Sequence, residues 1–129
     1  MPVYAIAVAC FLLSLPVSAA GAITGIFGNL TYKSEGGDLI GTEMRIYQEH
    51  GRYMVAMIDS EGAPGPELKV PATVAGNHIT FTVAQPGTTI RYAGRINQAG
   101  FTGTYTVVSN GNVTYNLRLP RLKHSYWNR

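Results

Sequence analysis

Cysteine is nearly absent from this 129-residue chain: the one present, Cys10, sits in an apolar N-terminal stretch. If that stretch is removed, the chain has no means of forming a disulfide, a thiol nucleophile, a zinc–thiolate site or a dithiol redox pair. Acidic residues are absent after Glu67. All seven, from Glu35 to Glu67, precede residue 68, so residues 21–67 carry a net charge of −4 and residues 68–129 a net +7. Lys, Arg, Asp and Glu together make up only 13% of the chain, and the bases are too dispersed for a nucleic-acid footprint, so no partner of that kind is expected. Helical periodicity is also missing. No Gly-x-Ser-x-Gly elbow surrounds Ser34, Ser60, Ser109 or Ser125, and the spacing of His50, His78 and His124 fits no metal motif. Neither a catalytic constellation, nor a metal, nor a cofactor is expected.

What is present begins with the apolar run Val3–Leu15, then Pro16 and the small residues Val17–Ala22. This is the pattern of a secretory signal over residues 1–20, cut near Ala20 or Ala22, although no Lys or Arg precedes the run. The run falls short of the ~20 apolar residues a membrane helix needs. The reading places the protein outside the cell or in the periplasm, with no stable membrane anchor after cleavage. An uncleaved anchor or a core strand is the alternative.

Strict alternation dominates the remainder. Ile79, Phe81 and Val83 alternate with polar residues, as do Ile90, Tyr92, Gly94 and Ile96. Phe101, Gly103, Tyr105 and Val107 follow, then Val113, Tyr115, Leu117 and Leu119. Period two means strands with one buried and one wet face. Upstream, Gly25–Tyr32 reads as a first strand with Ile26, Leu30 and Tyr32 on one face, and Leu39–Glu49 and Arg52–Ser60 as a hairpin about His50-Gly51. The strand from Arg52 is apolar on both faces, so the N-terminal strand or the C-terminal tail should cover its second one. Two prolines and two glycines make Glu61–Glu67 a loop. Leu68–Val74 is a further strand, and Pro71 within it marks an edge or a bulge.

A one-residue slip exchanges the faces of a whole strand, so turn lengths must agree with the pattern. Two-residue turns at Gly76-Asn77 and Pro86-Gly87 and a four-residue connection at Asn97–Gly100 place Phe81 opposite Tyr92, Tyr92 opposite Tyr105, and Gly94 opposite Gly103. A two-residue turn at Asn110-Gly111 breaks the match. A three-residue connection or a glycine bulge there restores it, with Tyr105 opposite Leu117 and Val107 opposite Tyr115. The expected fold is all-β: about eight antiparallel strands in an up-and-down, barrel-like meander over residues 21–120. A two-sheet sandwich is the alternative. Residues 121–129 form a basic, aromatic tail, either frayed, docked on the both-sides-apolar strand, or held ready for a partner.

Residues Gly41–Arg121 resemble a small secreted bacterial β-domain that occurs alone or ahead of some exported α/β-hydrolases. The matching segments are Glu61–Gly65, Val70–Val74, Gly76–Phe81, Tyr92–Ile96, Phe101–Tyr105 and Leu117–Arg121. The resemblance implies turns and core positions and brings no catalytic residues. A more distant similarity to lipocalin-like barrels is one of architecture alone.

Two candidate sites follow. Inward Phe81, Tyr92, Tyr105 and Tyr115, beside the facing Gly94 and Gly103, either line a small pocket with phenolic handles or simply fill the core around a bend. An apolar or amphipathic small molecule is the expected ligand. The outward threonines with Arg91, Arg95 and Arg118, joined by Arg121, Tyr126 and Trp127 of the tail, form the second site, suited to a protein partner or a homo-oligomer.

Overall fold

The structure is a computed structural model and describes residues 23–33, 35–109 and 111–128. The segment read as a signal peptide lies outside these residues.

The strands are β1 (Gly25–Gly28), β2 (Thr31–Lys33), β3 (Asp38–Glu49), β4 (Arg52–Gly62), β5 (Leu68–Ala75), β6 (His78–Gln85), β7 (Thr88–Ile96), β8 (Gly100–Val108) and β9 (Val113–Leu122). One turn of 3-10 helix, Tyr126–Asn128, follows. Neighbours in sequence from β3 to β9 pair antiparallel, and β1 pairs with both β3 and β9. The eight strands β1 and β3–β9 therefore close into a barrel, with β2 added along β3. None of the helices among the described residues is long and apolar enough to cross a membrane.

Turn chemistry fixes most of the register. His50 and Gly51 both take positive φ, 52° and 74°, the pair of values a type I′ hairpin needs. With that turn in place, Ile46 faces Val55 and Met44 faces Met57. The registers expected for β5 with β6, β6 with β7 and β7 with β8 all occur: Val74 faces Ile79, Phe81 faces Tyr92 and Gly94 faces Gly103. Pro71 stands where β5 changes neighbours. It pairs with Met54 of β4, and from Ala72 onward β5 pairs with β6. A residue without an N–H suits that crossing point.

Three expectations need correction. The first strand is interrupted. Asn29 leaves the line, its side-chain oxygen accepting a hydrogen bond from the Thr42 amide at 2.8 Å while its own amide donates to the Thr42 carbonyl at 3.0 Å. The amide side chain thus replaces a backbone rung and splits the strand into β1 and β2. Within β1 the buried residue is Phe27, not Ile26. Finally, β9 is shifted two residues from the expected register, so Tyr105 faces Tyr115 and Gly103 faces Leu117. The β8–β9 connection is longer than three residues, because the pairing stops at Val107 with Val113. It keeps the odd parity that returns Leu117 and Leu119 to the core side. The bulge expected at Asn110-Gly111 involves Asn110, which lies outside the described residues.

The core gathers Ile23, Phe27, Met44, Ile46, Val55, Met57, Ile79, Phe81, Tyr92, Ile96, Phe101 and Leu119 from both walls. It is densest at the end holding the β3–β4, β5–β6 and β7–β8 turns. Arg121 closes that end. Its side chain donates to the carbonyls of Thr24 (2.9 Å), Asn97 (2.9 Å) and Gln98 (3.2 Å), and its guanidinium lies 4.6 Å from the centre of the Phe27 ring.

The tail docks. Glu43, on the outer face of β3 and only 6% exposed, accepts hydrogen bonds from Ser125 Oγ at 2.5 Å and from the Tyr126 amide at 2.6 Å. Ser125 and Trp127 then line a cleft with Ile26, Ala56 and Ile58, which covers the outer face of β4 as the both-sides-apolar pattern requires.

Candidate functional site

The barrel's two ends differ. At the end holding the β4–β5, β6–β7 and β8–β9 connections, inward positions reach solvent. Four large apolar residues are exposed: Tyr32, Ile40 (43%), Val113 (48%) and Tyr115 (46%). Three of them belong to the inner face by register. Tyr115 and Val113 keep the parity of fully buried Leu119, and Ile40 keeps that of fully buried Met44. A barrel sealed at this end would hide them.

A file of four rings leads to this opening. Phe81 stacks on Tyr92 with ring centres 4.7 Å apart and planes at 9°. Tyr92 and Tyr105 are 5.9 Å apart and tilted. Tyr105 stacks on Tyr115 at 5.0 Å. Each ring belongs to the next strand, so the file is a cross-strand row made by the register. It runs from the core, where Phe81 and Tyr92 are each 5% exposed, to the rim at Tyr115. Phe81, Tyr92, Tyr105 and Tyr115 are therefore brought together as the sequence suggested. The fourth ring joins only through the corrected β9 register.

Gly94 and Gly103 are brought together too, without a gap between them. A Cβ on Gly94 would sit 2.6 Å from the Phe101 ring, and one on Gly103 would sit 2.1 Å from the Ala93 carbonyl oxygen. Phe101 and the two backbones occupy the space, so these glycines serve a close strand approach and a bend. Uncovered inner-face surface lies further along, at the rim, where Ile40, Val113 and Tyr115 are exposed.

The wall opposite the rings is polar. Thr42 faces Asp59 and Ile40 faces Glu61 across β3 and β4. Both pairs continue the inward parity of Met44 and Met57. Thr42 Oγ1 donates to Asp59 at 2.5 Å. Burial, with the nearby Asp59 charge, holds the Tyr92 hydroxyl far above the usual tyrosine pKa. Tyr105 is raised as well, by burial first and then by Tyr115, Asp59 and Glu61. Both phenols stay protonated at neutral pH, able to donate and to accept. Asp59 and Glu61 were not legible as site residues, because Glu61 opens a Pro/Gly-rich segment. Counting two and four residues on from Met57 along the same face would have found them.

The second set of residues is dispersed. Arg91 lies between Thr82 and Thr106, as expected, in an outer groove of about 530 Å³ that Thr73, Thr80 and Thr104 also line. Arg95 and Arg118 flank Thr102 on the same outer face. Arg121 is turned inward as the end plug, and Tyr126 and Trp127 lie against the β1–β3–β4 wall. Among the described residues no three His, Cys, Asp or Glu side chains cluster to hold a metal ion. No family model, curated protein or solved structure matches this chain.

Proposed function

We propose that the protein is a non-catalytic binding module that takes a small apolar or amphipathic molecule at the open end of the barrel. The reading rests on one observation above all: Ile40, Val113 and Tyr115 are inner-face apolar residues left uncovered beside a stacked ring row. The rings supply apolar area, and the phenols of Tyr105 and Tyr115 supply polar handles that orient an amphipathic guest. Export, inferred from the apolar run Val3–Leu15 and the small residues after it, belongs to the same reading. A thermal-shift screen across fatty acids, flavonoids and haem-like compounds tests it. A ligand at a hundred times its Kd stabilises the folded state by about 2.7 kcal/mol, a shift of several degrees in a domain of this size. The shift should vanish in Tyr115→Ala, which leaves the buried core intact. No stabilisation by any compound, or one that survives Tyr115→Ala, counts against the site.

A second reading, assembly through the outer face, is favoured by the Arg91 groove. It predicts a concentration-dependent oligomer, detectable by light scattering, that Arg91→Glu disperses.

A further inference from the structure

We infer that the open end selects organic cations: a positively charged nitrogen set against Asp59 and Glu61, carried on an apolar or aromatic body lying on Tyr105 and Tyr115. The inference rests on the open-end reading above and adds the charge of the guest.

The argument starts with where the charges point. Inner-face positions of β5–β9 near the rim are Leu68, Val70, Val83, Ile90, Val107 and Val113, with no base among them. Arg91, Arg95 and Arg118 sit one residue off that parity and face outward. On the β3–β4 wall the inner positions beyond Met44 and Met57 are Thr42, Asp59, Ile40, Glu61 and Asp38. Of the bases at this end, Lys33 is opposite Asp38 in register and Lys69 is paired with Glu67. Asp59 and Glu61 therefore remain. Among the described residues the lone ion pair is Lys69 with Glu67, so no Lys or Arg neutralises either carboxylate. Asp59 is held in place by Thr42 rather than balanced by a counter-charge.

The opposite wall has the same preference. An aromatic face attracts cations through its quadrupole, by about 0.5–1 kcal/mol at exposed sites and more where water is displaced. Tyr105 and Tyr115 present such faces at the rim, and their neutral hydroxyls add no charge. An anionic guest would meet two unpaired carboxylates. A neutral one would gain only the apolar contact. A cation gains from both walls at once.

The test uses three naphthyl compounds of matched shape: 2-naphthylmethylammonium, 2-naphthylmethanol and 2-naphthoate. Their affinities for the full chain are measured by calorimetry, with amide chemical shifts locating the site. The expected order is cation, then alcohol, then carboxylate, with the cation about tenfold tighter than the alcohol, as a charge pair together with one aromatic contact would give. The double variant Asp59→Asn/Glu61→Gln should erase that tenfold preference of the cation over the alcohol. Glu61→Gln alone, at an exposed position with no packing role, should reduce the preference and serves if the double variant does not fold. Equal binding of cation and alcohol to the wild type overturns the charge inference and leaves the open-end reading standing. Preferred binding of the carboxylate overturns it too. Absence of binding by all three overturns the charge inference, and the wider compound screen described above then decides the open-end reading.

Discussion

Arg121 and Phe27 face each other in the β1–β9 pair, the guanidinium 4.6 Å from the ring centre, and this contact fastens the barrel's closure. Among the described residues β1 pairs with β9 at two positions, Ile26 with Leu122 and Phe27 with Arg121, so this contact sits at the middle of a short seam. The same guanidinium bonds the Thr24 carbonyl, 97 residues away in sequence, and the Asn97 carbonyl of the β7–β8 turn. Arg121→Ala removes these donors and the ring cover together. Hydrogen bonds from a charged group contribute about 1.5–3 kcal/mol each and do not add fully, so a loss of at least about 2 kcal/mol is expected in urea unfolding. Arg121→Lys should recover little of it, since an ammonium cannot fork to three carbonyls while lying flat on a ring.

Glu43 anchors the tail, and the molecule carries its own probe of that anchor. Trp127 is the one tryptophan. Its emission therefore reports whether Ser125–Trp127 lies against β3. Glu43→Ala deletes the acceptor for Ser125 Oγ and for the Tyr126 amide. The expected result is a red-shifted Trp127 emission and a loss of about 1–3 kcal/mol, the cost of leaving a partly buried donor unpaired. Truncation after Lys123 should produce a similar loss by exposing Ile26 and Ala56, the apolar wall under the tail.

Gly103 sits in the β7–β8 pair where a side chain has no room. A methyl group there meets the Ala93 carbonyl at 2.1 Å and the Gly94 Cα at 2.5 Å, both main-chain atoms that cannot swing aside. Gly103→Ala must push two strands apart beneath the ring row, and a loss of about 3 kcal/mol or more is expected. Gly111→Ala, into open space, is the control and should change the unfolding midpoint little.

Seven of the nine strands follow from alternation and turn residues. Two-residue turns fix parity, and parity fixes faces, so the alignment of Phe81, Tyr92 and Tyr105 follows from residue order alone. Failures came where local signals were weak. Asn110-Gly111 resembles a tight turn, yet the stacking of Tyr105 on Tyr115 goes with a longer connection and a two-residue shift. Ile26 looks like a core residue, but it lines an outer cleft together with Ser125 and Trp127, a hundred residues away. Arg121 follows a proline in a basic tail, and nothing nearby in sequence shows that its partners are Thr24 and Phe27. The gap at Gly94 and Gly103 was a matter of space, which the Phe101 ring decides. The opening at the rim was invisible for a related reason: alternation says which residues point inward, not which of them remain uncovered.

Tyr92 gives the barrel an alkaline limit. Its hydroxyl is buried, and burial together with the Asp59 charge moves its pKa well above the value of about 10 that an unfolded chain would show. Below pH 10 the phenol is protonated in both states and contributes no pH dependence. Above it the unfolded chain releases a proton that the folded one keeps, so stability falls, by up to about 1.4 kcal/mol per pH unit for one group. Tyr105, also raised, steepens the fall. Tyr92→Phe keeps the ring stack on Phe81 and removes the titration. Urea midpoints measured from pH 8 to pH 11 should therefore decline less in Tyr92→Phe than in the wild type. Absorbance near 295 nm should show the Tyr92 phenolate emerging only with unfolding. If Tyr92 ionised near pH 10 in the folded protein, with no difference between the two midpoint curves, the ring would be reached by water, and the boundary between sealed core and open rim would lie deeper than the Tyr92–Tyr105 step.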